Sequence, residues 1–276
     1  MKKIDYFPQY YKLTFFERKI LDVCCFYPPK PKRVRGLEVD LDINKYTFLT
    51  KKSFGNNIFE ELENKKVLDF GCGEAGFSLA IALNAKNSVV DGIDIINGFE
   101  KAKNIIKAEN INNVNLIEGY SSILPDSIYD YIISHDSFEH FEDPEYILSE
   151  MFRLVKPNGY ILIKFGPTWM NPYGRHMSGT FKKSFPWLHL FVSEKSMMRI
   201  HSVYHNSVKL YENYKDLEGG LNKMTIKKAL KILNSFQAQI VNKKISYILK
   251  GKIFKDIPLL NELFSSSLYL KIKKVV

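Results

Sequence analysis

The chain has 276 residues, 45% of them hydrophobic and 25% charged, which suits a globular protein with a substantial core. No stretch reaches the roughly eighteen apolar residues of a membrane helix, so no membrane-spanning helix is expected. The net charge of +10 is unevenly placed, with 14 lysines against 5 acids from Lys209 to the end and near balance before it.

Residues 1–60 are aromatic and basic, with PPKPKRVRG (28–36) as a stiff loop between two short helical or irregular pieces. Asp5 and Pro8 interrupt any apolar leader, so a cytoplasmic protein without a signal peptide is expected. Cys24 and Cys25 fall in the apolar stretch ILDVCCFY. With Cys72 they form neither a disulfide framework nor a CxxC metal pair, and free thiols suit a reducing compartment.

A run of strands and helices follows. KKVLDFGCG (65–73) is a short apolar strand ending in glycines, and a helix is expected over 76–84. SVVDGIDI (88–95) reads as a strand and 97–110 as its helix; 114–120, 129–137 and 159–167 read as three more strands. The segment 143–156 has helical spacing, with Asp143 as N-cap, Pro144 in the first turn, and Pro157 with Asn158-Gly159 as its stop. Alternation of this kind predicts a doubly wound parallel sheet. An irregular and helical stretch runs to about Leu221, followed by a helix (225–236) and two closing strands, 238–249 and 266–276. The last strand alternates Leu268, Leu270 and Ile272 with Tyr269, Lys271 and Lys273, as a strand with one buried face does.

The segment VLDFGCGEAG (67–76) carries the chemistry. Gly71, Gly73 and Gly76 let the chain turn sharply after a strand and approach a ligand without a Cβ in the way. Glycines alone do not choose between NAD, FAD and S-adenosylmethionine. Asp69 narrows the choice, because a carboxylate inside that strand can act on the cationic aminoacyl end of a ligand. Asp94, 21 residues after Gly73, ends the second strand where a carboxylate accepts from both ribose hydroxyls of an adenosine. Its neighbour Ile95 can pack on the adenine. Asp91 competes for the role, but the strand carries it away from the carboxyl end.

Together LDFGCG, the acid ending the second strand, LPDSIYDYIISHDSFEHF and LVKPNGYILI resemble the class I S-adenosylmethionine-dependent methyltransferase superfamily, in its group with LEH-type fourth-strand motifs. The resemblance covers about residues 60–167 and rests on the combination and order of the motifs. It implies a Rossmann-like doubly wound, seven-stranded sheet whose last strand is antiparallel and inserted beside the fifth. It further implies an N-terminal cap segment (1–60) and a methyltransferase domain (61–276) with a cap insertion at about 168–222.

By the same resemblance Asp69, Gly71, Cys72 and Gly73 hold the methionine part of S-adenosylmethionine, or of the product S-adenosylhomocysteine, and Asp94 and Ile95 hold the adenosine. The loop at Gly119-Tyr120-Ser121-Ser122 edges the adenine, and Ser134-His135-Asp136 passes beside the sulfonium. Two departures stand out. Tyr120 occupies a place usually held by an acid, leaving the task to Ser121, Ser122 or backbone groups, and Ala75 replaces a frequent glycine. No (N/D)PP(Y/F) motif is present, which lowers the case for amino-group acceptors.

No metal is expected. The fourth strand has no cluster of acids, and His201 and His205, four apart, lack a third ligand at fixed spacing. His189 in an apolar context reads as a core histidine. The loop FGPTWMNPYGRHMSG (165–179) follows the fifth strand, where the fold recruits its acceptor, and it has a looser likeness to bacterial methyltransferases of cell-envelope sugar clusters. His176 is the first candidate for a base and His140 the second, since an imidazole suits proton abstraction near neutrality. Arg175 and Tyr173 are candidate acceptor-binding residues, and Lys30, Lys32, Arg33 and Arg35 could hold a phosphate.

The reading is therefore O-methylation of a small anionic acceptor, such as a phosphorylated or nucleotide-linked sugar, by a soluble protein for which a homodimer is allowed. Alternatives from other classes are an RNA or protein methyltransferase docking through the lysine-rich end, a non-catalytic cofactor-binding subunit, and more distantly an NAD oxidoreductase. Nucleic acid is disfavoured, because that end contains no recognisable RNA-binding module.

Overall fold

From Lys66 onward the alternation of strand and helix becomes a single seven-stranded sheet. The computed structural model describes residues 7–29, 41–96, 98–217, 219–248 and 250–275. In chain order the elements are α1 (Phe15–Cys24), α2 (Ile43–Phe54), α3 (Ile58–Glu61), β1 (Lys66–Phe70), α4 (Gly76–Asn84), β2 (Val89–Asp94), α5 (Glu100–Ala108), β3 (Val114–Glu118), β4 (Tyr129–His135), α6 (Pro144–Leu154) and β5 (Val155–Phe165). There follow α7 (Leu188–Phe191), α8 (Glu194–Tyr204), α9 (Ile226–Leu233), β6 (Ala238–Tyr247), α10 (Pro258–Phe264) and β7 (Ser265–Lys274).

The sheet order is β3-β2-β1-β4-β5-β7-β6. β1 to β5 are mutually parallel, and β7 is antiparallel to both of its neighbours, as the resemblance implied. Leu268, Leu270 and Ile272 stand opposite Phe165, Ile163 and Ile161 and are buried, which fixes the register. A one-residue slip would turn Tyr269, Lys271 and Lys273 into the core. β6 is the outer edge, and Lys243 and Lys244 on it are exposed. Charge on an edge strand discourages pairing with another chain, which gives part of the lysine surplus a structural role.

Local signals held where chemistry was specific. The Asp143 side chain accepts from the backbone N–H groups of Glu145 and Tyr146, and Pro144 opens α6. The stop is different. The strand begins at Val155 rather than Gly159 and passes through Pro157, with a register shift against β4 between Tyr129 and Tyr131. An irregularity of this kind absorbs extra residues at a strand's start. Helix α10, in the connection between the closing strands, was not anticipated.

Two cores flank the sheet. One packs β-strand residues such as Leu68, Ile132 and Ile161 against α6 and α9; the other packs Val67, Val90 and Ile133 against α3, α4 and α5. A third core lies apart and joins Phe7, Leu13, Ile20, Leu21, Cys24 and Cys25 to Met177, Phe181, Met197, Met198, Val203 and Tyr204. The N-terminal segment thus divides. Residues 7–26 share a core with the insertion after β5, whereas α2 and α3 pack on the sheet domain. Arg199 on α8 reinforces the first union by donating to the buried Glu17 of α1 at 3.2 Å. No helix among the described residues is long and apolar enough to cross a membrane.

Candidate active site

The turn after β1 is built by left-handed glycines, Gly71 at φ +75° and Gly73 at φ +57°. The N–H groups of Gly71 and Cys72 both donate to the carbonyl of Ile93, which draws the turn across the end of β2. Gly73 N–H donates to Asp94 Oδ2 at 2.8 Å, and Ile96 N–H to Oδ1 at 3.0 Å. Each carboxylate oxygen keeps a further lone pair. A Cβ built on Gly73 would meet nothing within 4 Å, so the space above the turn is open. Ile95 beside it is 64% exposed, an apolar surface at the crevice with nothing packed over it. Asp91, the competitor, accepts from the Tyr129 hydroxyl at 2.8 Å and lies in mid-strand, three residues short of the carboxyl end.

Asp69 is buried beneath the turn and accepts from the Ser78 hydroxyl at 2.6 Å. Burial pushes its carboxyl up to about 7, helped by the charge of Asp94 and opposed by the Ser78 hydrogen bonds. The Cys72 side chain is buried, and burial raises its thiol, so it is a packing group rather than a nucleophile.

The loop after β3 divides its candidates. Ser121 is buried and donates to Glu150 Oε2 at 2.8 Å, inside a network in which Arg153 bridges Glu150 and Asp126. Its hydroxyl is therefore turned into the protein, not toward an adenine. Tyr120 (72% exposed) and the exposed Ser122 are the side chains that face outward.

At the end of β4 the buried His135 stacks on Phe77 with ring centroids 4.0 Å apart, and its Nε2 lies 2.8 Å from Ser53 Oγ on α2. Burial lowers its pKa. Asp136 takes a left-handed backbone (φ +54°) and pairs with Lys164 and with His135 Nδ1 at 3.2 Å. Desolvation pushes Asp136 up, but His135 and Lys164 outweigh it and hold the carboxylate below its usual range. The Ser137 hydroxyl donates to the Gly71 carbonyl at 2.7 Å, which ties the β4 end to the glycine turn.

Beyond lie Glu139 and His140. The His140 ring Nδ1 is 2.9 Å from the carbonyls of both Gly219 and Gly220, and Asn222 fastens the same loop by donating to the carbonyls of Phe138 and Phe141. His176 reaches this place from the insertion after β5. Its backbone is left-handed (φ +54°), its Nε2 is 2.8 Å from the Pro167 carbonyl, and its ring centroid is 5.5 Å from that of His140. Burial pulls His176 down to about 4. Gly174 is required for this turn, since a Cβ there would stand 2.2 Å from the Trp169 carbonyl oxygen. The two base candidates, 36 positions apart in sequence, are thus brought together.

Arg175 goes elsewhere. It is 2% exposed, and its guanidinium donates to the carbonyls of Pro172, Phe185 and Lys182 at 3.1–3.4 Å. A guanidinium already holding the cap loop is not placed to bind an acceptor phosphate. Tyr173, partly exposed, lines with Arg175 and Met177 a small cavity of about 130 Å³ in the cap. Lys30, Lys32, Arg33 and Arg35 lie outside the described residues. His189 is buried with Nε2 2.7 Å from the Trp169 carbonyl, and His201 and His205 share the Thr180 hydroxyl at 2.7 and 3.0 Å.

Ser53, Ser78, Lys164 and Asn222 were missed by sequence reasoning. Ser78 alone left a local signal, as a hydroxyl in an otherwise apolar first turn after the glycines.

A family model described as a methyltransferase domain matches residues 61–236. The chain is similar to a demethylmenaquinone methyltransferase of Geobacillus sp. (strain WCH70), 31% identical over 104 residues that form 36% of this chain and 44% of that protein. It is also similar to the mitochondrial ubiquinone biosynthesis O-methyltransferase of Dictyostelium discoideum, 26% identical over 142 residues, 48% of this chain and 44% of that protein. The chain thus spans less than half the length of either relative. In three dimensions it resembles coclaurine N-methyltransferase bound to N-methylheliamine and SAH, with a TM-score of 0.54 at 13% identity over 98% of this chain and 82% of that one, a likeness of fold.

Proposed function

Because the chain belongs to the methyltransferase-domain family of class I S-adenosylmethionine-dependent methyltransferases, we propose that it transfers a methyl group to a hydroxyl oxygen of a small acceptor. The observation that supports this reading is the left-handed glycine turn over the buried Asp69, tied to Asp94 through Gly73 N–H, with open space above Gly73 and the exposed Ile95 beside it.

S-adenosylmethionine, when bound, supplies an electrophilic methyl group on a sulfonium. Asp94 then accepts from ribose hydroxyls through its remaining lone pairs, Ile95 covers an adenine face, and Asp69 lies beneath the turn on the aminoacyl side. With that group held there, the acceptor oxygen would attack the methyl carbon in line with the breaking carbon–sulfur bond, whose electron pair would return to sulfur. Holding that alignment supplies much of the acceleration. The hydroxyl proton would pass to a base, for which His176 and His140 are the candidates.

A phosphorylated or nucleotide-linked sugar remains the acceptor suggested by the basic run Lys30, Lys32, Arg33 and Arg35. Arg175 adds nothing to that case. One relative is by name an O-methyltransferase of ubiquinone biosynthesis, which supports hydroxylated rings as the competing class. The three cysteines, free and buried, support a reducing, cytoplasmic setting.

The test incubates the protein with methyl-labelled S-adenosylmethionine and a panel of nucleotide sugars, sugar phosphates and hydroxylated rings. Label should appear on an acceptor oxygen with matching release of S-adenosylhomocysteine. Label entering RNA or protein instead would overturn the small-acceptor reading. Binding of the cofactor with no transfer to anything would make the chain a non-catalytic subunit.

A further inference from the structure

We propose that Glu139, His140 and His176 form a binding site for a divalent transition-metal ion at the acceptor side of the crevice. Each of the three offers a ligand atom, and these atoms all lie within 4.8 Å of one another. Nitrogen and oxygen ligands stand about 2.0–2.2 Å from such an ion, so side-chain rotations that bring the three atoms to roughly 3–3.5 Å of one another would close the set around a common centre.

The hydrogen bonds around the cluster decide which atoms are available. Carbonyl oxygens only accept, so the contacts to Gly219 and Gly220 require a hydrogen on His140 Nδ1, and the contact to Pro167 requires one on His176 Nε2. In the neutral rings His140 Nε2 and His176 Nδ1 then carry the lone pairs. A ring whose far N–H is held by a backbone carbonyl is the usual arrangement of a metal-bound histidine, because it fixes both tautomer and orientation.

Glu139 gives the independent observation. It is 2% exposed; Oε1 accepts from Gly166 N–H at 3.1 Å, while Oε2 is buried with no hydrogen-bond partner. A buried carboxylate oxygen with no donor calls for an explanation, and an ion beside it supplies one.

Two imidazoles and one carboxylate suit zinc or iron(II), whereas magnesium and calcium prefer all-oxygen surroundings. Three protein ligands leave coordination positions open. The ion therefore can take an acceptor oxygen, polarise its O–H bond and fix it for attack. This last step rests on the O-methylation reading; metal binding itself does not.

The full chain, stripped with chelator, is titrated with Zn²⁺ by calorimetry and with Co²⁺ by visible d–d absorption. One ion per chain is expected. Glu139→Gln keeps the acceptor for Gly166 N–H, and His176→Asn tolerates the left-handed backbone while removing the ring nitrogens. Each should weaken binding about tenfold or more, with affinity for S-adenosylhomocysteine retained, and His205→Ala should leave the ion bound. Absence of stoichiometric binding, or undiminished binding in both cluster variants, overturns the site. Should His176→Asn fail to fold, Glu139→Gln carries the test alone. A metal-loaded protein that methylates no hydroxyl acceptor sinks O-methylation and leaves the ion site standing.

Discussion

Ser78 donates its hydroxyl to Oδ2 of Asp69 at 2.6 Å, and so the first turn of α4 grips the one carboxylate buried beneath the glycine turn. That carboxylate is pushed up to about 7 by burial, so in the proposed role of Asp69 beside the aminoacyl group cofactor binding becomes pH-sensitive. A cationic aminoacyl group favours its ionised form, so binding near neutrality should release a proton. Affinity for S-adenosylhomocysteine should therefore rise about tenfold between pH 6 and pH 8, equivalent to about 1.4 kcal/mol, and Asp69→Asn should flatten the profile.

The same shift has a definite sign for the ligand-free protein. An acid whose folded pKa is raised contributes stability below its unfolded value near about 3.9 and loses it as pH rises through about 7. Asp69→Asn should accordingly gain more thermal stability relative to the natural protein at pH 8 than at pH 5. An equal change in melting temperature at both pH values would mean that Asp69 titrates normally.

Asp94→Ala removes both the acceptor of Gly73 N–H and the lone pairs offered to a ribose. Cofactor affinity should fall by at least about 1–2 kcal/mol, and S-adenosylmethionine and S-adenosylhomocysteine, but not NAD, should stabilise the natural protein thermally. Calorimetry of the variant decides the matter: an unchanged dissociation constant removes Asp94 from the site.

β7 lies between β5 and β6, so its loss opens the sheet rather than trimming an end. Leu268, Leu270 and Ile272 are each almost fully buried, and burial of such a side chain contributes about 1.5–3 kcal/mol. Deleting residues 266–276 should yield insoluble or unfolded protein. A soluble truncation with normal cofactor affinity would contradict the role of β7.

What could be read in advance was whatever depends on neighbours in sequence. The strand–glycine–helix turn, the acid ending β2, the Asp143 cap and the alternation of β7 are local patterns whose geometry follows from residue type. The cap is different. Phe7 and Leu13 share a core with Met197 and Tyr204 because the chain returns over them, and no periodicity encodes which apolar face meets which. Arg175 looked available because a cationic side chain in a loop is usually solvated; its burial comes from three carbonyls supplied by the folded loop itself. For the same reason the partnership of Glu139 and His140 with His176 was invisible, since the turn that creates it, with Gly174 close against the Trp169 carbonyl and His176 left-handed, is made by the folded loop.

His176 belongs both to the acid–base candidates and to the proposed ion site. Its Nε2 hydrogen is held by Pro167, so the ring is oriented with the lone pair on Nδ1, and the ring lies beside His140 and Glu139. Whether that nitrogen takes the hydroxyl proton itself or holds an ion that acidifies it, its removal acts on the chemical step and not on cofactor binding. His176→Asn should lower kcat by roughly 10²-fold or more, with affinity for S-adenosylhomocysteine preserved. The metal content of the variant then separates the two routes. Loss of turnover together with loss of the ion places His176 among the ligands. Loss of turnover with the ion still bound makes it the base. Near-normal turnover would exclude both roles and leave His140 as the acid–base candidate on the acceptor side.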